Sequence, residues 1–185
     1  MRFFLVFLLL GLCGPGSLRA EEVPLGSAGL KGKVTVFLDT GCPIARYHTR
    51  TLRELHAEFS VKGFAFEAWF PNRLATSSCL ENFGKKFKIP FPVRPDADQK
   101  QARHFGATVV PEVFVHDATG QLVYRGRIDD LFGAVGRKRP AARHHDLKEA
   151  LQALATGDKV VRTRTDPVGC AITFSRKPLT TSIAP

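Results

Sequence analysis

The chain has 185 residues, of which 44% are hydrophobic and 24% charged, and its formal net charge is +10. That length holds one domain with a proper core and excludes two large ones. The ordinary composition, without internal repeats or low-complexity tracts, excludes a fibrous or disordered chain, and the basic balance allows contact with anionic surfaces without identifying a partner.

Met1-Arg2 is a short basic start, Phe3 to Cys13 is a nearly unbroken apolar run, and Leu18-Arg19-Ala20 ends the stretch. This is the layout of a secretory signal peptide, with cleavage expected after Ala20. The run is shorter than the roughly 20 residues that cross a bilayer, so no stable membrane insertion of the mature chain is expected. Leu12 before Cys13 argues against lipid attachment there. The protein is therefore expected to be exported, periplasmic or secreted. Cys42, Cys79 and Cys170 remain after cleavage. An oxidising compartment favours disulfides, and an odd number leaves at least one thiol free, reactive or shared with a partner.

Val34 to Leu38 reads as a buried strand, and Asp39-Thr40-Gly41-Cys42-Pro43 as the turn after it. Pro43 suits the first position of a helix, where its missing N–H costs nothing. That helix should run to about Lys62, with Leu52, Leu55 and Phe59 on one face and Gly63 as its stop. Phe64, Phe66, Ala68 and Phe70 alternate as a second strand. Ser78 and Glu81 form a capping box for a helix with Leu80, Phe83 and Phe87 inward. An extended stretch at Ile89–Val93 and a short helix at Asp98–Phe105 closed by Gly106 follow. Val113–His116 and Gln121–Ile128 form a hairpin around Asp117–Gly120. Asp146 and Glu149 are expected to cap a last helix with Leu147, Ala150, Leu151 and Leu154 on its apolar side. The expected division is a signal peptide at 1–20, one domain at 21–157 and a polar C-terminal tail at 158–185 carrying Cys170. This order predicts an α/β fold with a mixed central sheet and helices on both faces.

Cys42 then sits at the end of a strand and the start of a helix. Helix N-termini carry partial positive charge and unpaired N–H groups that stabilise a thiolate. Arg46 and Arg50, one and two turns along, would add positive charge, and Thr40 could donate a hydrogen bond to the sulfur. The bland reading is a buried, inert cysteine.

The blocks Val36 to Ile44, Val110-Pro111-Glu112-Val-Phe-Val, Leu122 to Asp130, His145-Asp146-Leu147 and Gly169-Cys170-Ala-Ile172 resemble exported redoxin proteins. These form the alkyl hydroperoxide reductase/thiol-specific antioxidant, or peroxiredoxin-like, branch of the thioredoxin superfamily. The resemblance spans about residues 33–173. It implies a thioredoxin-like fold with Cys42 as the attacking cysteine and Pro111 as a cis-proline facing it. The sequence departs from the family patterns at three places. Ala45 replaces the second cysteine of C-x-x-C, Thr40 is two residues before Cys42 where peroxiredoxins have three, and Pro111 stands about where their peroxide-holding arginine is sought.

Attack by Cys42 leaves a mixed disulfide or sulfenic acid that must be resolved. Cys170, Cys79 and an external thiol are the candidates; Cys79 is 37 residues after Cys42, a spacing similar to that of some thiol peroxidases. A permanent Cys42–Cys170 disulfide pinning the tail is the alternative, and closing so long a loop would stabilise by roughly 4–5 kcal/mol in the chain-entropy model. Without a close cysteine pair no metal or other cofactor is expected, and His116, His144 and His145 read as ordinary surface histidines. The basic run Arg137-Lys138-Arg139 reads as a solvated loop or a docking surface for an acidic redox partner; nucleic acid is a poor partner for an exported chain. The function expected is an extracytoplasmic thiol–disulfide oxidoreductase whose partner is a thiol or disulfide protein. A thiol peroxidase acting on hydroperoxides is one alternative, and a non-catalytic or metal-handling module on the same scaffold is the other.

Overall fold

The computed structural model describes residues 29–175; the expected signal peptide at 1–20 lies outside the described residues. Strand β1 (Gly32–Phe37) is the centre of a five-stranded sheet. Its Val34, Val36 and Phe37 are wholly buried because helices cover both faces. Helix α1 (Pro43–Phe59) leads to β2 (Phe64–Phe70), which lies parallel to β1 with Val36 opposite Ala68. In β2 the residues Phe64, Phe66, Ala68 and Phe70 are buried while Ala65, Glu67 and Trp69 are half-buried. Burying one Phe side chain is worth about 2 kcal/mol, and a one-residue slip would turn three of them to the other face, so this row sets the register.

Helix α1 ends at Phe59, and a single 3₁₀ turn (Ser60–Lys62) carries the chain to Gly63. Gly63 has φ +90°, and a Cβ there would lie 2.3 Å from the Gly29 carbonyl oxygen, so no side chain fits. Helix α2 (Ser77–Phe87) precedes β3 (Val93–Pro95), which extends the sheet beyond β2 in parallel. α2 starts one residue before the expected capping box. Thr76 is its cap, with Oγ1 accepting the Cys79 N–H at 3.3 Å, and Glu81 pairs instead with Lys85. The first Ser/Thr with extended backbone takes the cap, and the sequence Thr76-Ser77-Ser78 offers three candidates. The extended stretch likewise falls later than the Ile89–Val93 expected, because Ala68 and Phe70 at the end of β2 provide its partners.

A short helix α3 (Lys100–Phe105) and strand β4 (Val109–Val110) lead to β5 (Glu112–Asp117) and β6 (Leu122–Gly126), an antiparallel hairpin. β5 runs antiparallel to the other side of β1, giving the sheet order β3-β2-β1-β5-β6. A small ribbon, β7 (Phe132–Ala134) and β8 (Arg137–Lys138), precedes helix α4 (Asp146–Thr156), which buries Leu147, Ala150 and Leu151. Only one of its two expected caps acts as one. Glu149 Oε1 accepts the His145 N–H at 3.1 Å, whereas the Asp146 carboxylate is fully buried between Arg127 (2.7 Å) and Arg162.

Residues 158–175, after α4, are mostly irregular and return across the domain. Val160 is buried, Arg164 bridges Arg125, and Thr165 Oγ1 lies 2.7 Å from the Tyr124 hydroxyl. Cys170–Ala171 then forms β9, antiparallel to β4. Val168, Ile172 and Phe174 of this segment also pack against the core. Among the described residues, no helix is long and apolar enough to cross a membrane.

Candidate active site

The turn after β1 is built by Asp39. Its Oδ1 accepts the Gly41 N–H at 2.7 Å and its Oδ2 accepts from Asn72 Nδ2 at 2.8 Å. Asp39 thereby joins the C-terminal ends of β1 and β2 and sets the entry to α1. Cys42 follows as the helix cap, with φ −80° and ψ 116°, and Pro43 begins the helix. The thiol of Cys42 is 2% exposed and donates to the Val110 carbonyl oxygen at 3.2 Å. The Val110–Pro111 peptide bond is cis.

Cys170 covers this thiol. In the β4–β9 ladder Cys170 is the partner of Val110 and Ala171 that of Val109. The ladder brings Cys170 Sγ to 2.8 Å from Cys42 Sγ, the Cys170 S–H pointing at the other sulfur. The two cysteines are free thiols 128 residues apart in the chain. Burial pushes the Cys170 thiol up to about 11, helped by its hydrogen bond to Cys42 and by the charges of Cys42 and Asp39. Cys170 therefore remains protonated at neutral pH.

Gly169 makes this approach possible. A Cβ on Gly169 would lie 2.0 Å from the Val110 carbonyl oxygen, a backbone atom that has no freedom to yield. Gly169→Ala is expected to open the β4–β9 pairing and lift Cys170 off Cys42. Loss of two backbone hydrogen bonds at about 1 kcal/mol each corresponds to a rise of roughly tenfold or more in the alkylation rate of Cys42. Time-resolved alkylation of the reduced protein checks this.

A cleft of about 400 Å³ opens beside the two sulfurs, lined among others by Asp39, Asn72, Arg73 and Val110. Thr40 does not line it and makes no hydrogen bond to Cys42 among the described residues; the sulfur uses Val110 instead. Cys79 sits in the first turn of α2, half-buried and outside the cleft. Arg46 and Arg50 also face away: Arg46 lies over the Phe87 ring and Arg50 pairs with Glu54. Arg125 holds the buried Glu112 at 2.7 Å and Arg127 holds Asp146, so neither reaches the cleft. Arg73 is the arginine that does, and sequence reasoning missed it together with Asn72 and Asp39. Only Asp39 carried a local signal, the Asp-x-Gly pattern of a side-chain-capped turn. Among the described residues, His, Cys, Asp and Glu nowhere gather in groups of three or more able to hold a metal ion.

No family model matches the sequence, and no curated protein matches it. Solved structures do match. The chain superposes with TM-score 0.72 on a hypothetical protein of Sinorhizobium meliloti, at 24% identity over 80% of this chain and 82% of that one. An uncharacterized conserved protein of Geobacillus kaustophilus gives TM-score 0.70, at 24% identity over 80% of this chain and 79% of that one. A secreted disulfide oxidoreductase of Mycobacterium tuberculosis, homologous to E. coli DsbE, gives 0.51, at 18% identity over 66% of this chain and 81% of that one. The fold is thioredoxin-like. In this thioredoxin-like domain the turn at the end of β1 holds one cysteine, and the second sulfur arrives from the C-terminal segment.

Proposed function

We propose that this protein is an extracytoplasmic thiol–disulfide oxidoreductase in which Cys42 is the nucleophile and Cys170 the resolving thiol. The observation that carries the reading is the 2.8 Å separation of the two sulfurs. Export is supported by the basic, apolar and small-residue layout of residues 1–20.

Cys42 gives up to solvent the proton it donates to Val110 and attacks, as a thiolate, one sulfur of a partner disulfide. A Cys42–partner bond forms, the partner's S–S bond breaks, and the other partner sulfur leaves as a thiolate. Cys170 then gives up its proton to solvent and attacks Cys42 Sγ. The Cys42–Cys170 bond forms, the second partner sulfur leaves, and two electrons have passed to the partner. Position supports this division of roles: Cys42 stands at the N-terminus of a 17-residue helix, and Cys170 Sγ lies 2.8 Å from its sulfur. Cys170, held protonated, waits for the mixed disulfide. The reverse sequence oxidises a partner dithiol with the same bonds. The partner is a thiol or disulfide protein; Arg125 and Arg127, either of which could hold a peroxide only by reaching the cleft, are spent on buried carboxylates.

Mass spectrometry of the alkylated mature protein tests the reading. A Cys42–Cys170 disulfide that forms with an oxidised partner and is removed by a dithiol reductant is the expected result, with Cys42→Ser abolishing exchange. A bridge that resists reduction, or a Cys42 thiol that never reacts, would overturn it.

A further inference from the structure

Gln99 is 3% exposed and holds φ 59°, ψ 26°, a left-handed backbone that non-glycine residues adopt uncommonly. It immediately precedes α3 but its side chain does not cap that helix. Asp96 does, its two carboxylate oxygens accepting the N–H groups of Gln101 and Ala102 at 3.0 and 2.8 Å. The Gln99 amide is thereby free, and it is used entirely on distant chain. Nε2 donates to the Pro71 carbonyl at 3.1 Å and to the Thr173 carbonyl at 2.8 Å. Oε1 accepts the Ser175 N–H at 2.8 Å and lies 3.2 Å from the Ser175 hydroxyl.

These partners surround the reactive thiols. Pro71, Gln99 and Thr173 all line the cleft that contains Cys42 and Cys170. Thr173 is three residues after Cys170, and the two-residue ladder of β9 alone is a short hold on a segment that must present a sulfur. The Ile172 N–H to Thr108 carbonyl bond extends that ladder by one, and Arg103 grips the Ser175 carbonyl at 2.7 Å from the solvent side. Gln99 is the buried member of this set and the one that joins the segment to the end of β2. A left-handed, buried glutamine with three of its four amide contacts directed at residues 173–175 and the fourth at Pro71 makes sense if that segment must be held against the end of β2.

We propose that Gln99 is a positioning residue, latching residues 173–175 to the rim of the cleft so that Cys170 stays against Cys42. The inference rests on the Cys42–Cys170 exchange proposed above. With the latch closed, Cys170 presents a high effective concentration to Cys42; with it open, the segment behaves as a tether and that concentration falls.

The test equilibrates the mature protein with mixtures of reduced and oxidised glutathione and reads the Cys42–Cys170 disulfide by alkylation and mass. The overall exchange is balanced: two protein thiols and one oxidised glutathione give one protein disulfide and two reduced glutathiones. Gln99→Gly suits the left-handed backbone and removes the amide; Gln99→Glu keeps the acceptor and loses both donated bonds. Several hydrogen bonds of ordinary net strength predict a fall of about tenfold or more in the equilibrium constant for Gln99→Gly, and a smaller fall for Gln99→Glu. A merely structural role would lower the melting temperature and leave that constant alone. A constant within twofold of wild type in both variants overturns the latch, and Gln99→Glu keeps the test valid if Gln99→Gly fails to fold. If wild type never forms the disulfide, the proposed function fails, and the latch is judged on the reduced protein: faster alkylation of Cys42 in Gln99→Gly supports it, and an unchanged rate overturns it.

Discussion

Replacing Cys170 with serine is expected to stop the protein after its first half-reaction. Cys42 still stands at the start of α1, so its attack on a partner disulfide, once its proton is lost, proceeds. Release then depends on an external thiol. Positioned intramolecular groups exceed effective concentrations of a molar by large factors, so replacing one with millimolar thiol should slow turnover by about 100-fold or more. The mixed disulfide on Cys42 should accumulate to a stoichiometric band on non-reducing gels. Cys79→Ser should leave turnover near wild type, because Cys79 lies outside the cleft. Equal turnover in Cys170→Ser and wild type would remove Cys170 from the mechanism, and a Cys79→Ser variant that stalls would assign the resolving role there.

The second large effect concerns stability at the floor of the site. Glu112 is 1% exposed and directly follows Pro111. Its Oε1 accepts from Arg125 at 2.7 Å and its Oε2 from the Thr108 N–H at 2.9 Å. One carboxylate thus ties β6 to the loop that carries Val110, the residue that meets both cysteines. Glu112→Ala leaves an arginine and a backbone N–H without their acceptor and opens a void. Breaking such a buried pair costs about 3 kcal/mol or more. For a domain of this size that corresponds to a fall in melting temperature of roughly 10 °C. Glu112→Gln keeps two hydrogen-bonding atoms and should lose less than half as much. Thermal unfolding of the reduced proteins measures both. A change within about 2 °C for Glu112→Ala would show that the carboxylate contributes nothing net, as happens where desolvation cancels the ion pair.

Glu112 also shows where sequence reading reached its limit. It was visible as part of a hydrophobic-Pro-Glu step, and its burial could not be foreseen, because nothing within a few residues of it names Arg125 as its partner. The same holds for Arg125 and Arg127. The acids they hold, Glu112 and Asp146, come from other elements, although Asp129 and Asp130 stand nearer in the chain. Asp146 was read as a helix cap on the strength of its position, and burial beside two arginines redirected it.

The local elements and the place of Cys42 are legible in the chain alone. Alternation in Phe64–Phe70, the apolar stripe of α1, Pro43 at its start and Gly63 closing the 3₁₀ turn after it are consequences of strand and helix periods and of backbone sterics within a few residues. Order and spacing of those elements sufficed for the fold class, since a strand–helix–strand–helix–hairpin–helix series has few ways to bury both faces of its sheet. Which sulfur meets Cys42 is legible only in the folded chain. That contact joins residues 128 apart through a two-residue ladder, and its makers are a backbone carbonyl at Val110 and the missing side chain of Gly169. Gln99 belongs with them, because its amide bonds reach residues up to 76 positions away. Backbone groups are the same in every residue, so pairing between distant segments leaves no mark in composition or periodicity. It is settled by packing, when the sheet has formed and the chain after α4 is drawn back across its edge.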